Sequence, residues 1–355
     1  MAKQPKPPPE DLLAKIADLY HNRHCTYGQI AKATGQDPHK IRELLEEARA
    51  LLTIVIRRPT LESELISKFT HLVDVRVVQE TLETDSYGRL LKIWGQVAAD
   101  YFETLVDTGE PLMVGLSGGD TIFHFIDNLP LRTRPNVDAL PLALVGRGCS
   151  GVSEAHIDPS VNATFFWIKC GRQGGRLRYA TVPLYHQDGR EQMNDLATKD
   201  EAVHAALDSM KFINVAFAGL GNITALDNSR KPEDLPKISP FTSQHLIPNK
   251  RRQQLVEEGV IGEISYCPFG EDGGGSTEWQ LFLTPGHGTK YSGVSFYEKV
   301  VVDAQREPVY KKKKKVIAIA GAQKERIIRA ALVGKLFNVW ITDAATAKTM
   351  LQIKV

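Results

Sequence analysis

Apolar residues in the first fifty or so positions return every three or four places, the period of a helix with one buried face. From Glu10 the stripe is Leu12, Leu13, Ile16, Ala17, Leu19 and Tyr20, which predicts a helix fading near Asn22 to Arg23. A second, shorter helix is expected to start after Thr26, whose hydroxyl suits an N-cap. It runs through Tyr27, Ile30, Ala31 and Ala33 to Gly35, a residue fitted to the left-handed turn that follows a helix. A third opens at Asp37 with Pro38 in its first turn and sends Ile41, Leu44, Leu45, Ala48 and Leu51 inward. The period then shortens: Leu52 to Arg58 is alternating and β-branched, a short strand ended by Pro59. A domain boundary is placed there, giving residues 1–58 and 59–355.

In the second part, Leu61 to Phe69 and Leu90 to Val106 repeat at helical spacing. Apolar runs of strand length follow, each ending in glycine. Leu112 to Leu116 precedes Ser117-Gly118-Gly119, Ile213 to Ala218 precedes Gly219-Leu220-Gly221, and Val316 to Ala320 precedes Gly321. Helical patterns come after the first and last, at Thr121 to Leu129 and Lys324 to Val333. Strands that alternate with helices across glycine turns predict an α/β fold with a largely parallel, Rossmann-like sheet.

Composition narrows the class. With 355 residues, 42% of them hydrophobic and 24% charged, the chain has the make-up of a globular protein of about two domains. The start, MAKQPKPPPEDLL, has no apolar stretch of a signal peptide, and no apolar run reaches the roughly 18 residues of a membrane span, so a cytoplasmic protein without a membrane partner is expected. Prolines at 5, 7, 8 and 9 make the first nine residues a tail. Cys25, Cys149, Cys170 and Cys267 lie far apart with no CxxC and are read as reduced and structural; the histidines lack HExxH spacing, so no metal is expected. A net charge of +2 does not mark the whole chain as a nucleic-acid binder, so any basic surface is local.

Local chemistry is concentrated in three places. In YGQIAKATGQDPHKIRELL, the small Ala31, the turn at Gly35 and the apolar Ile30, Ile41 and Leu44 make a helix-turn-helix pattern, with the helix from Asp37 to about Ala50 lying in the major groove. Its outward residues are Gln36, His39, Lys40, Arg42 and Glu43: the cations can donate to guanine, and Gln36 or His39 can read a base or hold a phosphate. A three-helix interaction module with a solvated charged face is the alternative. The second place is VGLSGGDTIFHFI, where Ser117, Gly118, Gly119 and Thr121 between strand and helix offer free amides, hydroxyls and a positive dipole end to an anion. It is neither a Walker loop nor a GxGxxG fingerprint, and a tight turn is the plain reading. GLSGG also fits the G-x-S-x-G nucleophile elbow, but no oxyanion motif accompanies it and Asp120-Thr121 favours anion binding. The third place pairs Asp272 in CPFGEDGGG, able to accept from sugar hydroxyls, with Lys324, able to neutralise a phosphate; their plain readings are a turn aspartate and a surface lysine. Lys311 to Lys315 is read as a solvated run.

With these segments in order, and with ELLEEARALLTIVIRRP, FINVAFAGLGNI, LVEEGVIGEISYCPFGEDG and VIAIAGAQKERIIRAALVGKLFNVWITDAATAKTMLQ, the chain resembles the SorC family of sugar-binding bacterial transcriptional regulators over nearly its full length. The resemblance implies an N-terminal helix-turn-helix domain and an effector domain related in fold to sugar-phosphate isomerases and deaminases, without catalysis or cofactor. It also implies a homo-oligomer, a tetramer or dimer, on a palindromic double-stranded operator. Carried over by position, Ser117, Gly118, Gly119, Thr121, Gly219, Gly221, Asp272 and Lys324 would surround a phosphorylated sugar. Two segments depart from the family: Gly270 to Thr289 is longer and richer in glycine, and Gly146 to Asp158 is unusual. The rival expectation is a sugar-phosphate isomerase or deaminase whose helical module serves assembly; it needs an acid and a base about 3 Å from the transferred proton, and Asp272 has no evident partner for that task.

Overall fold

The computed structural model describes residues 10–17, 19–20, 25–45, 57–79, 87–143, 158–171, 195, 197–210, 213–223, 249–279 and 315–353. The chain divides into two units, Met1–Ile56 and Arg57–Val355.

In the first unit, α1 (Glu10–Ala17) and α2 (Tyr27–Thr34) precede a turn at 38–40 and a helical stretch at 41–45. Thr26 caps α2 reciprocally: its hydroxyl accepts from Gln29 N, while Gln29 Oε1 accepts from Thr26 N at 2.8 Å. Gly35 closes the helix at φ 69°, a left-handed conformation that glycine adopts without the Cβ penalty. Asp37 Oδ1 accepts from His39 N at 2.9 Å, the bond expected of an N-cap, and its carbonyl accepts from Lys40 N, so the third helix opens after Asp37 with a tight turn at 38–40. Ile16, Ile30, Ala31, Ile41 and Leu45 form the core of this unit. Ala48, Leu51 and most of the strand expected from Leu52 lie outside the described residues.

The second unit is built on a sheet of order β1 (Asp74–Val78), β8 (Val339–Asp343), β7 (Lys315–Ile319), β4 (Val215–Asn222), β2 (Leu112–Leu116) and β3 (Val137–Pro141), in which every neighbouring pair is parallel. Side chains alternate across it. Ala216 and Ala218 face a core shared with α3 (Pro59–Lys68), α7 (Glu201–Met210), α9 (Glu325–Val333) and α10 (Ala344–Gln352). Phe217 faces the other way, stacked at 4.2 Å on Phe125 of α5 (Asp120–Asp127) and joined there by Phe102 of α4 (Tyr87–Val106) and Phe166 of α6 (Pro159–Lys169). Burial on both faces is what a parallel sheet requires, and it explains why these strands read as apolar runs with little alternation. Beyond the parallel ladder, β4 pairs antiparallel with β5 (Gly262–Ile264), which turns back as β6 (Cys267–Phe269); α8 (Asn249–Glu257) precedes this hairpin.

Two sequence expectations change here. Gly219-Leu220-Gly221 is not a turn: β4 continues through it to Asn222, because the β5 hairpin supplies a new ladder after the parallel one ends. Lys315 is not part of a solvated run. It opens β7, its N–H donates to the Asn214 carbonyl, and its Nζ donates to Tyr101 Oη at 2.8 Å. Lys311 to Lys314 lie outside the described residues, as does Cys149; Cys25, Cys170 and Cys267 are not joined to one another by a disulfide. No described helix is long and apolar enough to cross a membrane.

Between α3 and β1, burial and then the positive charge of Lys335 push His71 down from 6.5 to about 4. The unfolded chain binds a proton that the native state refuses across that window, so stability should be full above about pH 6.5 and fall by up to about 3 kcal/mol as the pH drops to 4. Urea unfolding at pH 7 and 4.5 should show this slope reduced in His71→Leu; an unchanged slope would remove His71 as its source.

Candidate functional site

Parallel register brings the carboxyl ends of four strands to one edge. Leu116 pairs with Phe217, Gly219 with Ile319, and Ile319 with Ile341. The segments that leave this edge are Ser117 to Thr121 after β2, the Gly219 to Asn222 extension of β4, Ala320 to Lys324 after β7, and Asp343 at the end of β8. Ligands of open α/β sheets bind at this edge, where helix N-termini converge.

Ser117 is buried, and its N–H donates to the Phe217 carbonyl at 3.0 Å. Its Oγ donates to the Gly118 carbonyl at 3.1 Å and accepts from Gly219 N at 3.3 Å, which ties the glycine loop across to β4. Gly119 stands at the N-cap of α5 with φ 105°, and no side chain caps the helix. The loop therefore turns on a glycine and leaves the positive end of α5 uncapped beside the buried Thr121. Asn162 of α6, fully buried, donates through Nδ2 to the Ser117 carbonyl at 3.2 Å.

Lys324 is buried at the N-cap position of α9, which also has no side-chain cap. Its Nζ donates to the Leu220 carbonyl at 2.6 Å, and among the described residues no carboxylate pairs with it. The surface-lysine reading is thereby excluded. A cation buried without a counter-ion is costly unless an anion or dipoles offset it. Gly219 adds space: a Cβ built on it meets nothing within 4 Å, although Ala218 and Leu220 on either side are buried. The structure thus brings together Ser117, Gly118, Gly119, Thr121, Gly219 and Lys324, with Gly221 two residues along β4.

Asp272 is not among them. It is exposed, and its Oδ1 accepts from Gly274 N at 2.8 Å, the plain turn-aspartate role. The following Gly273 is pressed against Ala330 and Gly334, where a Cβ would lie 2.5 Å from the Ala330 carbonyl oxygen. Ala330 is six positions beyond Lys324, about 9 Å of helical rise. Besides Asp120 and Glu325 in the first turns of α5 and α9, the topology places Glu263 near the site, buried and opposite Gly221 in the β4–β5 ladder. Its Oε2 accepts from Tyr266 N at 2.7 Å across a two-residue hairpin turn whose Ser265 and Tyr266 have φ 48° and 66°. Sequence reasoning missed Glu263 because only a cross-strand pairing brings it to the glycines. It also missed Asp343, whose carboxylate accepts from Ala322 N at 2.7 Å. Among the described residues the buried side-chain polar atoms without a hydrogen-bond partner are His71 Nε2, Arg76 Nε, Trp94 Nε1, Arg134 Nε, Asn162 Oδ1, Ser265 Oγ and Thr342 Oγ1, of which Trp94, Asn162, Ser265 and Thr342 belong to residues in or beside these segments. Such atoms weaken a fold unless a donor or acceptor meets them, and hydroxyl groups supply both.

Among the described residues no histidine or carboxylate bonds Ser117 Oγ. The arrangement suits a bound anion carrying hydroxyl groups. In the first unit, His39, Lys40, Arg42 and Glu43 are exposed and Gln36 half-buried, while Ile41 between Lys40 and Arg42 is fully buried.

The Sugar-bind family model, which describes a sugar-binding domain, matches residues 55–278. The chain belongs to this sugar-binding domain family. Among solved structures, the full-length sorbitol operon regulator SorC from Klebsiella pneumoniae is 22% identical, over 97% of this chain and 99% of that one, with a TM-score of 0.61. A DeoR family transcriptional regulator from Listeria monocytogenes is 19% identical over 82% of this chain and 98% of that one, with a TM-score of 0.62. A transcriptional regulator from Streptococcus pneumoniae TIGR4 is 17% identical over 82% and 96%, with a TM-score of 0.60. At these identities the likeness is one of fold. A search of curated proteins gives no match.

The open face of Gly219 makes a test. Gly219→Val should fold with a stability within about 1 kcal/mol of wild type, since the position is in a strand and a Cβ there meets nothing within 4 Å. It should also abolish the thermal stabilisation given by sugar phosphates that stabilise the wild type; unchanged stabilisation would place the ligand elsewhere.

Proposed function

We propose that this protein is an effector-responsive transcriptional regulator of a carbohydrate-related operon, acting in the cytoplasm as a homo-oligomer, a tetramer or a dimer. Residues 1–58 bind double-stranded operator DNA as a helix-turn-helix domain, and residues 59–355 sense a small phosphorylated sugar. The observation that carries the sensing half is Lys324: a buried side chain without a counter-ion among the described residues, at the uncapped start of one helix and on the same sheet edge as the uncapped start of another. A phosphate group would offset that charge at the positive ends of both helices. Glu263, opposite Gly221 in the β4–β5 ladder, supplies an acceptor for sugar hydroxyls. The regulators named above, each alike in fold, support the same reading.

The DNA half rests on the packing of the first unit, in which Ile41 and Leu45 go inward and leave Lys40 and Arg42 outward. Lys40→Ala and Arg42→Ala should each weaken operator binding by about 1–3 kcal/mol without unfolding the second unit, read by fluorescence anisotropy and circular dichroism. Operator affinity unchanged in both would remove the recognition-helix assignment. Since a single module offers a small interface, two or more copies should share an operator, and sedimentation should show a mass well above 39.4 kDa.

The link between the halves is tested with Lys324→Ala. Loss of a charge-assisted contact should weaken sugar-phosphate binding roughly tenfold to over a hundredfold by calorimetry. Operator binding in the absence of effector should survive, and the response to effector should disappear at concentrations that saturate the wild type. Turnover of a sugar phosphate by the wild-type protein would instead establish the isomerase or deaminase reading.

A further inference from the structure

The Asp343 carboxylate is completely buried and faces no lysine or arginine at ion-pairing distance among the described residues. Its three ligands are neutral donors. Oδ1 accepts from Thr346 N at 2.8 Å; Oδ2 accepts from Thr346 Oγ1 at 2.9 Å and from Ala322 N at 2.7 Å. The first two contacts cap α10. The third reaches across from β8 to the turn after β7, two residues before Lys324.

That turn is held unusually firmly. Ala320 N donates to the Ile341 carbonyl, and the Ala320 carbonyl accepts from Trp340 Nε1 at 3.0 Å. Gly321 has no room for a side chain, since a Cβ would lie 2.0 Å from Asp343 Oδ2 and 2.4 Å from Trp94 Cζ2. Gln323 takes φ 70°, a left-handed conformation that a non-glycine residue keeps only where its surroundings impose it. The next residue is Lys324, already helical in its bonding, with its carbonyl accepting from Ile328 N at 2.9 Å. A capping aspartate needs no bond to a second turn; this one has a bond placed where it sets the backbone that carries the buried ammonium.

We propose that Asp343 is the positioning residue of the anion site: its bond to Ala322 N fixes the Gly321 to Lys324 turn so that Lys324 Nζ and the start of α9 meet a bound phosphate together. This rests on the anion-binding reading of Lys324 given above. A conservative change separates the two duties of the carboxylate. In Asp343→Asn the remaining oxygen still accepts from Thr346 N, and asparagine caps a helix as well as aspartate does. The new amide group stands where Oδ2 was, so two donors face each other at Ala322 while the Thr346 hydroxyl can rotate to accept.

The test uses the full chain and inorganic phosphate as the probe, with binding measured by calorimetry and backbone protection by hydrogen exchange. Asp343→Asn should raise the Kd for phosphate about tenfold or more and speed exchange in residues 321–324, leaving residues 344–352 protected. Thr346→Val, which removes a capping donor but not the Ala322 contact, should lower Tm and leave the Kd unchanged. Asp343→Ser, which caps with a shorter reach, serves as a second variant if the asparagine form does not fold, and should show the same loss. A wild-type Kd in the Asp343 variants, or an equal rise in Thr346→Val, would overturn the inference while leaving the anion site standing. Failure of wild type itself to bind phosphate would overturn the anion reading and this inference with it.

Discussion

Everything at the candidate site depends on one constraint: six parallel strands buried on both faces must end level with one another. A parallel ladder has a single permitted direction, so all the carboxyl ends lie on one side, and every strand is followed by a chain segment that must leave from that side. Burial on both faces also demands close packing. The chain meets it with small residues where elements approach: Gly95 of α4 lies against the His124 backbone, where a Cβ would come within 2.6 Å, and Gly115 of β2 lies under Leu142 at 2.5 Å by the same measure. Helices seated this tightly carry their amino ends to fixed places above the edge. The uncapped starts of α5 and α9 follow from that geometry, and so does the burial of Lys324.

The same edge lies next to the point where the second unit begins. Arg57 pairs with Val78 at the end of β1, and Arg58 N donates to the Val77 carbonyl. Glu62 of α3 accepts from both Arg57 Nε and Val77 N, at 3.0 and 2.9 Å, so the first residues of the unit are strapped to the strand end. Val78 in turn pairs with Asp343, and Asp343 holds Ala322. Lys68 at the far end of α3 donates to the Leu351 carbonyl of α10, at 2.7 Å, binding the two helices that flank this path. A short series of direct contacts therefore runs from the chain junction to the turn of Lys324.

Much of this was legible in the residues. The 3.6-residue stripes gave α1, α2 and the Ile41 helix, the Thr26 cap and the left-handed Gly35, because these depend on neighbours within a few positions. Apolar runs before Ser117 and Gly321 marked β2 and β7 for the same reason, and the family resemblance chose Lys324, which the structure buries. Asp272, chosen in the same way, serves a local turn instead. Other strands escaped notice: β5 and β6 are only three residues long, and β1, β3 and β8, though as long as β2 and β7, do not run into the glycines that marked those two.

What the sequence alone determined is whatever a few consecutive residues decide: helices and their caps, the apolar strands, the glycine at which the loop after β2 turns, and the class of fold that alternating elements produce. The tertiary structure decided which distant residues meet. Gly219 is a strand residue rather than a turn because β5, some forty positions later, pairs with its extension. Glu263 reaches the glycines only through that pairing, and Asp343 reaches Ala322 only because β8 lies beside β7. Spacing along the chain carries no record of such contacts, since strand order is set by how whole buried faces pack, and that choice is made by the sheet and its helices together.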